Sequence, residues 1–150
     1  MKRIMIESDK CEGCKNCSIA CMQAHRGAPG TIYDLDLTDP ANETRNIIRL
    51  NSHGSYIPIF CRHCDEPECV NSCMSGALTK DAVNNHIRYD ANQCGSCFMC
   101  VMNCPYGVLK PDHITQSFII RCDFCVNDQE QPNCVKSCPK KAIHVEEVSP

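Results

Sequence analysis

The sequence has no tryptophan and few other aromatic side chains. Its 150 residues include four phenylalanines and four tyrosines, so aromatic residues make up 5% of the chain. Because aromatic side chains contribute much of the buried area in large cores, only a modest hydrophobic core is expected. A chain of this length forms one compact domain or two small lobes, and with so little core it needs stabilisation from another source.

Long apolar runs are also missing. No stretch approaches the roughly 18 apolar residues that cross a membrane. Residues 1–7 lack both the apolar centre of a secretory signal and a twin-arginine leader. We therefore expect a soluble, cytoplasmic protein without a membrane span. The formal charge of −3 argues against nucleic acid as a partner.

Nucleotide-binding signatures are absent as well. The sequence contains no Gly-x-Gly-x-x-Gly and no phosphate-binding loop followed by Lys-Ser or Lys-Thr. No nucleophile and base stand out as a pair. These absences predict a protein that has no catalytic residues and no substrate chemistry of its own.

Cysteine, by contrast, is abundant and regularly spaced. The 16 cysteines form four groups of four, and each group begins with a two-residue gap and ends with a three-residue gap. The groups are Cys11, Cys14, Cys17, Cys21; Cys61, Cys64, Cys69, Cys73; Cys94, Cys97, Cys100, Cys104; and Cys122, Cys125, Cys134, Cys138. A [4Fe–4S] cluster takes four thiolates, so this count predicts four such clusters with all sixteen cysteines as iron ligands.

The spacing is that of bacterial ferredoxins, in which the fourth cysteine of a run binds the neighbouring cluster. Cys94 to Pro105 matches this run fully, and the first group differs in having Met22 in place of proline. The second and fourth groups widen the middle gap to four and eight residues. Zinc is the alternative metal, but its usual two-plus-two cysteine pattern is absent. Disulfides, the other alternative, would require an oxidising compartment.

A repeat organises the chain, because a compact group is followed by a looser group, twice. Each group is predicted to form a loop and then a short helix, with the fourth cysteine one turn after the third. Short apolar runs at Arg3–Ile6, His86–Tyr89 and Ile143–Val145 predict small two-stranded sheets. The fold expected is therefore α+β.

The longest cysteine-free segment, residues 22–60, lies between the first two groups. Alternating apolar residues at Ile32–Leu37 predict an exposed strand or docking segment, and an inert surface loop is the other interpretation. A hairpin is predicted from residues 47–50 and 56–60 around Asn51 to Gly54.

The chain resembles the four-cluster, ferredoxin-like iron–sulfur subunits of molybdopterin oxidoreductases, formate dehydrogenases and hydrogenases. Within that family it is most similar to the electron-transfer proteins associated with nickel-iron carbon monoxide dehydrogenase. The motifs that carry the likeness are Ile32–Leu37, Phe60–Cys69, Cys73–Ala77, and Cys97–Met102 with Cys104–Val108.

The resemblance implies two ferredoxin-like lobes, each holding two clusters. The outer lobe would comprise residues 1–25 plus 111–150, the inner lobe residues 55–110, and residues 26–54 would be an insertion. The resemblance also implies interleaved ligands: Cys11, Cys14, Cys17 with Cys138; Cys21 with Cys122, Cys125, Cys134; Cys61, Cys64, Cys69 with Cys104; and Cys73 with Cys94, Cys97, Cys100.

The function implied is transfer of single electrons from carbon monoxide dehydrogenase to a hydrogenase, a flavin oxidoreductase or a ferredoxin. The alternative is a permanent subunit of a formate dehydrogenase, hydrogenase or tungsten aldehyde oxidoreductase. A zinc-binding interaction module is a third, more distant alternative.

Each oxidised cluster with its thiolates would add a net −2, so four would bring the formal charge from −3 to about −11.

Overall fold

The computed structural model describes residues 1–126 and 131–148, and its regular elements are all short. The helices are α1 (Asn16–His25), α2 (Glu68–Asn71), α3 (Met99–Met102) and α4 (Asn133–Lys136). The strands are β1 (Lys2–Ile6), β2 (Ile47–Leu50), β3 (Tyr56–Ile59), β4 (Leu78–Lys80), β5 (Ile87–Tyr89), β6 (Lys110–Pro111), β7 (Ile119–Ile120) and β8 (Ile143–Glu147). This confirms the predicted α+β class with short helices and small antiparallel strand pairs.

The strands form antiparallel pairs rather than one sheet: β1 with β8, β2 with β3, β4 with β5 and β6 with β7. The pair β1–β8 joins the two ends of the described chain and places Ile4 opposite Val145. The two terminal apolar runs, each predicted to belong to a small two-stranded sheet, therefore pair with each other. It also means that the loops following β1 and preceding β8 are neighbours, although they are far apart in sequence.

Each helix follows a cysteine loop, as predicted. Helices α1 and α3 are preceded by left-handed residues, Lys15 with φ 60° and Phe98 with φ 55°. Helix α1 continues past Cys21 to His25, because residues 22–24 contain neither proline nor glycine. Helix α3 instead ends at Met102, three residues before Pro105.

The prediction of a strand at Ile32–Leu37 is wrong. Residues Ile32–Asp34 form a turn of 3-10 helix. The carboxylate of Asp34 accepts hydrogen bonds from the backbone N–H of Thr31 at 2.7 Å and from its hydroxyl at 2.8 Å. These local bonds stabilise a helical turn, and they outweigh the alternating pattern of apolar residues.

The predicted hairpin of the same segment is confirmed as β2–β3. Its turn is closed by the side chain of Asn51, which accepts hydrogen bonds from the N–H groups of His53 at 2.9 Å and Ser55 at 2.8 Å. Just before β2, the side chain of Asn46 is buried. It accepts a hydrogen bond from the hydroxyl of Ser18 at 2.7 Å and donates one to the carbonyl of Cys17 at 3.3 Å. The end of the long segment is therefore packed onto the first cysteine group.

Two hydrophobic clusters contain most of the buried apolar residues, and both include cysteines. The terminal cluster consists of Ile4, Cys17, Phe60, Phe124, Cys134 and Ile143. The central cluster consists of Cys61, Leu78, Ile87, Cys100, Val108, Leu109 and Ile119. Because Phe60 and Cys61 are adjacent in sequence, the chain passes directly from one cluster to the other.

No helix in the described part of the chain combines the length and the apolar character that a membrane crossing requires.

Candidate metal centres

None of the sixteen cysteines forms a disulfide, and at two pockets the fold brings together cysteines of different sequence groups. One small pocket is lined by Cys11, Cys14, Cys17 and Cys138, which we term the first set. Another is lined by Cys73, Cys94, Cys97 and Cys100, which we term the fourth set. In each case three cysteines of one group meet a single cysteine from a distant group.

The remaining thiols also lie beside partners from other groups. Burial, and then repulsion from the neighbouring Cys21 and Cys125, raises the pKa of the Cys134 thiol. Cys122 is likewise a neighbour of Cys134. We term Cys21, Cys122, Cys125 and Cys134 the second set.

The third set is Cys61, Cys64, Cys69 and Cys104. Burial, together with the neighbouring thiols of Cys61, Cys104 and Cys64, raises the pKa of Cys69 to about 11. Burial and the thiols of Cys61 and Cys104 also raise the pKa of Cys64. Because iron binds thiolates, cluster formation at these sites would have to release protons.

The spacing of the thiols bears on the choice between zinc and an iron–sulfur cluster. Zinc–sulfur bonds of about 2.3 Å in a tetrahedron place the sulfurs about 3.8 Å apart. Within residues 1–126 and 131–148, the group that brings three ligand atoms within 4.8 Å of one another is His25, Asp123 and Cys125, and no three thiols do so. A cubane cluster binds each thiolate through a different iron and therefore accommodates the wider spacing.

Backbone N–H groups point at several cysteine sulfurs. Those of Arg45, Leu78 and Phe124 donate to Cys21 at 3.3 Å, Cys73 at 3.4 Å and Cys122 at 3.4 Å. Burial opposes ionisation of Cys21 and Cys73, but hydrogen bonds outweigh it, so the pKa of each of these two thiols is lowered. Such bonds stabilise thiolates and, with them, the negative charge of a bound cluster.

The ligand loops hold strained backbone. His63, Ser96 and Phe124 each lie inside a Cys-x-x-Cys loop and have positive φ angles of 45°, 53° and 62°. Left-handed conformations cost non-glycine residues about 1–3 kcal/mol, so they persist where the surroundings require them. Here they turn the chain tightly enough for consecutive cysteines to face one site. Together with the four-thiol sets, these loops fit [4Fe–4S] clusters.

His63 is the one histidine in a ligand loop, and it is almost completely buried, with 1% of its surface exposed. Its Nδ1 accepts a hydrogen bond from the backbone N–H of Ile87 at 3.0 Å. Burial, and then the charge of Arg121, holds the pKa of His63 well below its usual value. The ring is therefore neutral with its hydrogen on Nε2, which has no partner among the described residues. A bound cluster would offer this buried donor a sulfur acceptor.

Sequence reasoning missed the residues around the second set. His25 lies outside the cysteine loops, yet its Nδ1 donates to the carbonyl of Cys21 at 2.8 Å and its Nε2 to Asp123 at 3.0 Å. Burial opposes the charged ring, but the hydrogen bonds to Asp123 and Cys21 outweigh it and raise the pKa of His25 to about 9. Arg121, which has 6% of its surface exposed, also lies beside Cys122. None of these residues belongs to a motif that could have identified it.

The four sets differ in access to solvent. Cys14 of the first set and Cys97 of the fourth set are exposed, whereas the second and third sets contain no exposed cysteine. The second set adjoins both neighbours, since Cys134 lies beside Cys17 and Cys122 lies beside Cys61. The second set therefore lies near both the first and the third set.

Known proteins resemble this chain over most of its length. Residues 52–148 match the family model described as a 4Fe-4S dicluster domain. The chain is 34% identical over 145 residues to the probable anaerobic dimethyl sulfoxide reductase chain YnfG of Escherichia coli (strain K12), covering 92% of this chain and 69% of that protein. It is also 33% identical over 144 residues to the NADH-dependent phenylglyoxylate dehydrogenase subunit beta of Aromatoleum evansii, covering 93% of this chain and 29% of that protein.

A solved structure also contains a chain similar to this one. The active site complex BamBC of benzoyl coenzyme A reductase with benzoyl-CoA contains a chain that is 27% identical, with a TM-score of 0.52. The match covers 97% of this chain and 79% of that one. The family model and the extent of these matches lead to one conclusion: the chain belongs to the family of 4Fe-4S dicluster domain proteins.

Proposed function

We propose that the protein transfers single electrons through four [4Fe–4S] clusters between a redox enzyme and a downstream acceptor. The observation that carries this proposal is that, in a chain of sixteen cysteines, two pockets each bring three cysteines of one group together with a single cysteine of a distant group. Each cluster, when bound, takes up and releases one electron. The four sets defined above would be the ligand sets, as the interleaved pattern implies.

The order of the sets supports a row of four clusters. The second set adjoins the first and the third, and each of the two outer sets has an exposed cysteine. Electrons would therefore enter and leave at the first and fourth sets and pass through the second and third sets, which contain no exposed cysteine. The proposed outer lobe would hold the first two sets, and the proposed inner lobe the other two.

The surrounding residues would hold the clusters and adjust their charge. The amides of Arg45, Leu78 and Phe124 would keep their bonds to cysteine sulfurs, and the Nε2–H of His63 would donate to a cluster sulfur. Hydrogen bonds to sulfur stabilise the reduced, more negative cluster and so raise its potential. We assign no catalytic role to any residue.

Two kinds of partner fit this role. The sequence resemblance favours nickel-iron carbon monoxide dehydrogenase as donor, with a hydrogenase, a flavin oxidoreductase or a ferredoxin as acceptor. The relatives named above are chains or subunits of larger oxidoreductases, which favours permanent association with such an enzyme. The clusters have the same function in both cases, and the partner differs.

Chemical analysis tests the cluster proposal. Protein reconstituted under anaerobic conditions should contain about sixteen iron and sixteen sulfide per chain. A value near eight, or a colourless protein that contains zinc, would contradict the proposal.

A second experiment tests the partner. Catalytic amounts of purified carbon monoxide dehydrogenase should reduce the reconstituted protein under carbon monoxide, followed by electron paramagnetic resonance. Mixtures without the enzyme, and mixtures under argon, are the controls. Failure of this reduction, together with co-purification of a different oxidoreductase from cells, would leave the permanent subunit as the correct description.

A further inference from the structure

No cysteine is among the described residues that line a cavity of about 290 Å³, although its wall includes residues next to the second set. Three arginines contribute to its wall: Arg45 just before β2, Arg88 in β5 and Arg121 just after β7. These residues come from three separate segments of the chain. The fold, rather than a local run of basic sequence, therefore concentrates the positive charge here.

Two of the arginines have buried N–H groups without partners. The Nη2 of Arg121 and the Nε of Arg45 are inaccessible to solvent and have no hydrogen-bond acceptor among the described residues. Arg121 has only 6% of its surface exposed. An unsatisfied buried donor on a charged group is destabilising, so an acceptor in the cavity would stabilise the protein.

The acidic groups at the cavity are already engaged. Asp123, the lining carboxylate, is bonded to His25 at 3.0 Å and accepts the backbone N–H of Cys125 at 3.0 Å. Arg88 is paired with Asp81 at 3.0 Å, and 47% of its side chain is exposed. His86 donates its Nε2–H to the carbonyl of Lys2 at 3.0 Å. Unmatched positive charge therefore faces the cavity in a protein whose formal charge is −3.

We propose that this cavity binds a small tetrahedral oxyanion of the phosphate type, held by Arg45, Arg88 and Arg121. Guanidinium groups bind such anions through paired N–H bonds, and a buried setting strengthens each bond. The cavity is larger than one phosphate group, so the ligand is either free phosphate or the phosphate of a somewhat larger molecule. This inference is independent of the identity of the redox partner.

The bound clusters provide the competing account of the arginines. Arg121 precedes Cys122, and its charge favours the thiolate of that residue. If the negative charge of the clusters alone neutralises the positive charge of the arginines, no anion is required in the cavity. The binding test must therefore use the reconstituted protein with its clusters in place.

The test is calorimetric titration of the reconstituted protein with inorganic phosphate at constant ionic strength, with chloride as the replaced anion. We expect saturable binding of one phosphate per chain. Arg88→Gln and Arg45→Gln should each weaken binding about tenfold or more, since each removes a charge-assisted contact. Arg49→Gln, an exposed residue of β2 outside the cavity, is the matched control and should bind like the unaltered protein.

Two results would overturn the inference: absence of saturable phosphate binding, or equal affinity in the Arg88→Gln protein and the Arg49→Gln control. Arg88 is partly exposed, so its variant should fold and keep this comparison decisive. A parallel titration with glycerol 3-phosphate identifies the source of the phosphate group. Tighter binding of this compound assigns the cavity to an organic phosphate, and tighter binding of inorganic phosphate assigns it to the free ion. Both outcomes support the site.

Discussion

The first and fourth thiol sets both have an exposed cysteine, but their surroundings differ. Exposed lysines lie next to the ligands of the first set in sequence, namely Lys10, Lys15, Lys140 and Lys141. We call this region the lysine end. Exposed methionines lie near the fourth set, with Met74 at 91%, Met99 at 41% and Met102 at 79% exposure. We call this region the methionine end.

The two ends would favour different partners. Lysines attract an acidic surface and their effect weakens with salt, whereas exposed methionines adapt to an apolar surface. The lysine end is also assembled from both ends of the chain, through β1–β8 and the contact of α1 with α4. At the methionine end, β4 and β5 are joined by a short connection. The two ends should therefore respond differently to mutation.

The largest expected effect is the loss of whole clusters, and it tests the ligand sets themselves. Replacing Cys14 and Cys138 together with serine should remove one cluster, or about four of sixteen iron atoms, because both belong to the first set. Replacing Cys14 and Cys134 should remove two, or about eight. Iron analysis and electron paramagnetic resonance distinguish the two results.

The same comparison applies to the methionine end. Replacing Cys97 and Cys73 together with serine should remove one cluster, and replacing Cys97 and Cys104 should remove two. Equal losses from the two double variants at either end would show that the interleaved sets are wrong.

A smaller effect comes from two glycines with the same backbone conformation, one at each end. Gly13 and Gly76 both have a φ of 71°. Alanine at position 76 meets nothing within 4 Å and should cost about 1–2 kcal/mol for the left-handed backbone. Alanine at position 13 would place its Cβ 2.5 Å from the Tyr56 ring, adding about 1–3 kcal/mol of overpacking.

Bleaching of the cluster absorbance in urea, under anaerobic conditions, measures this difference. The Gly13→Ala protein should bleach at lower urea than Gly76→Ala. Adding Tyr56→Ala to each variant is the control, and the larger relief should occur with Gly13→Ala. A lower midpoint for Gly76→Ala would contradict the packing argument at the lysine end.

The sequence was sufficient for the features that depend on local spacing. The cysteine groups, the short helix within each group, the β2–β3 hairpin and the strands at Ile4 and Val145 could all be predicted. Each of these follows from a periodic pattern or from turn residues close in the chain. The error at Ile32–Asp34 has a local cause too, since the Thr31–Asp34 bonds compete with an apolar alternation.

The residues around the thiols could not be predicted, because tertiary contacts bring them there. Arg45 reaches Cys21 across 24 positions, and His25 reaches Asp123 across 98. No motif links such pairs, and a single sequence shows no covariation. The cavity arginines are a further case, since they come from three separate segments.

The middle of the proposed row of clusters, the second and third sets, is less exposed than its two ends. Water can hydrogen-bond to sulfur at the ends, whereas His63, in the loop between Cys61 and Cys64, has a buried Nε2–H that we propose donates to a cluster sulfur. His63→Phe removes that donor, and Phe124 shows that phenylalanine is tolerated at the corresponding loop position with φ 62°. We expect the reduction potential of one of the middle clusters to fall by about 59 mV. This corresponds to a shift of about tenfold in the one-electron equilibrium toward the oxidised form.

Potentiometric titration followed by electron paramagnetic resonance measures this shift. The reciprocal variant Phe124→His is the control for packing, since it changes the same kind of loop without removing the His63 donor. Unchanged potentials in His63→Phe, with all four clusters present, would show that the Nε2–H does not contact a cluster.

The smallest expected effect concerns the charge at the two ends. Dithionite delivers electrons as a small radical anion, so the lysine end should attract it more than the methionine end. Lys15→Gln should slow stopped-flow reduction by less than about tenfold, and the effect should disappear near 1 M salt, where the screening length is about 3 Å. Met74→Glu makes the same one-unit change in charge at the methionine end. If Met74→Glu slows reduction as much as Lys15→Gln does, electrons enter both ends equally and the lysines do not determine the entry point. If Lys15→Gln alone is slower, the lysine end is the entry for anionic donors, and the methionine end is left for an apolar partner.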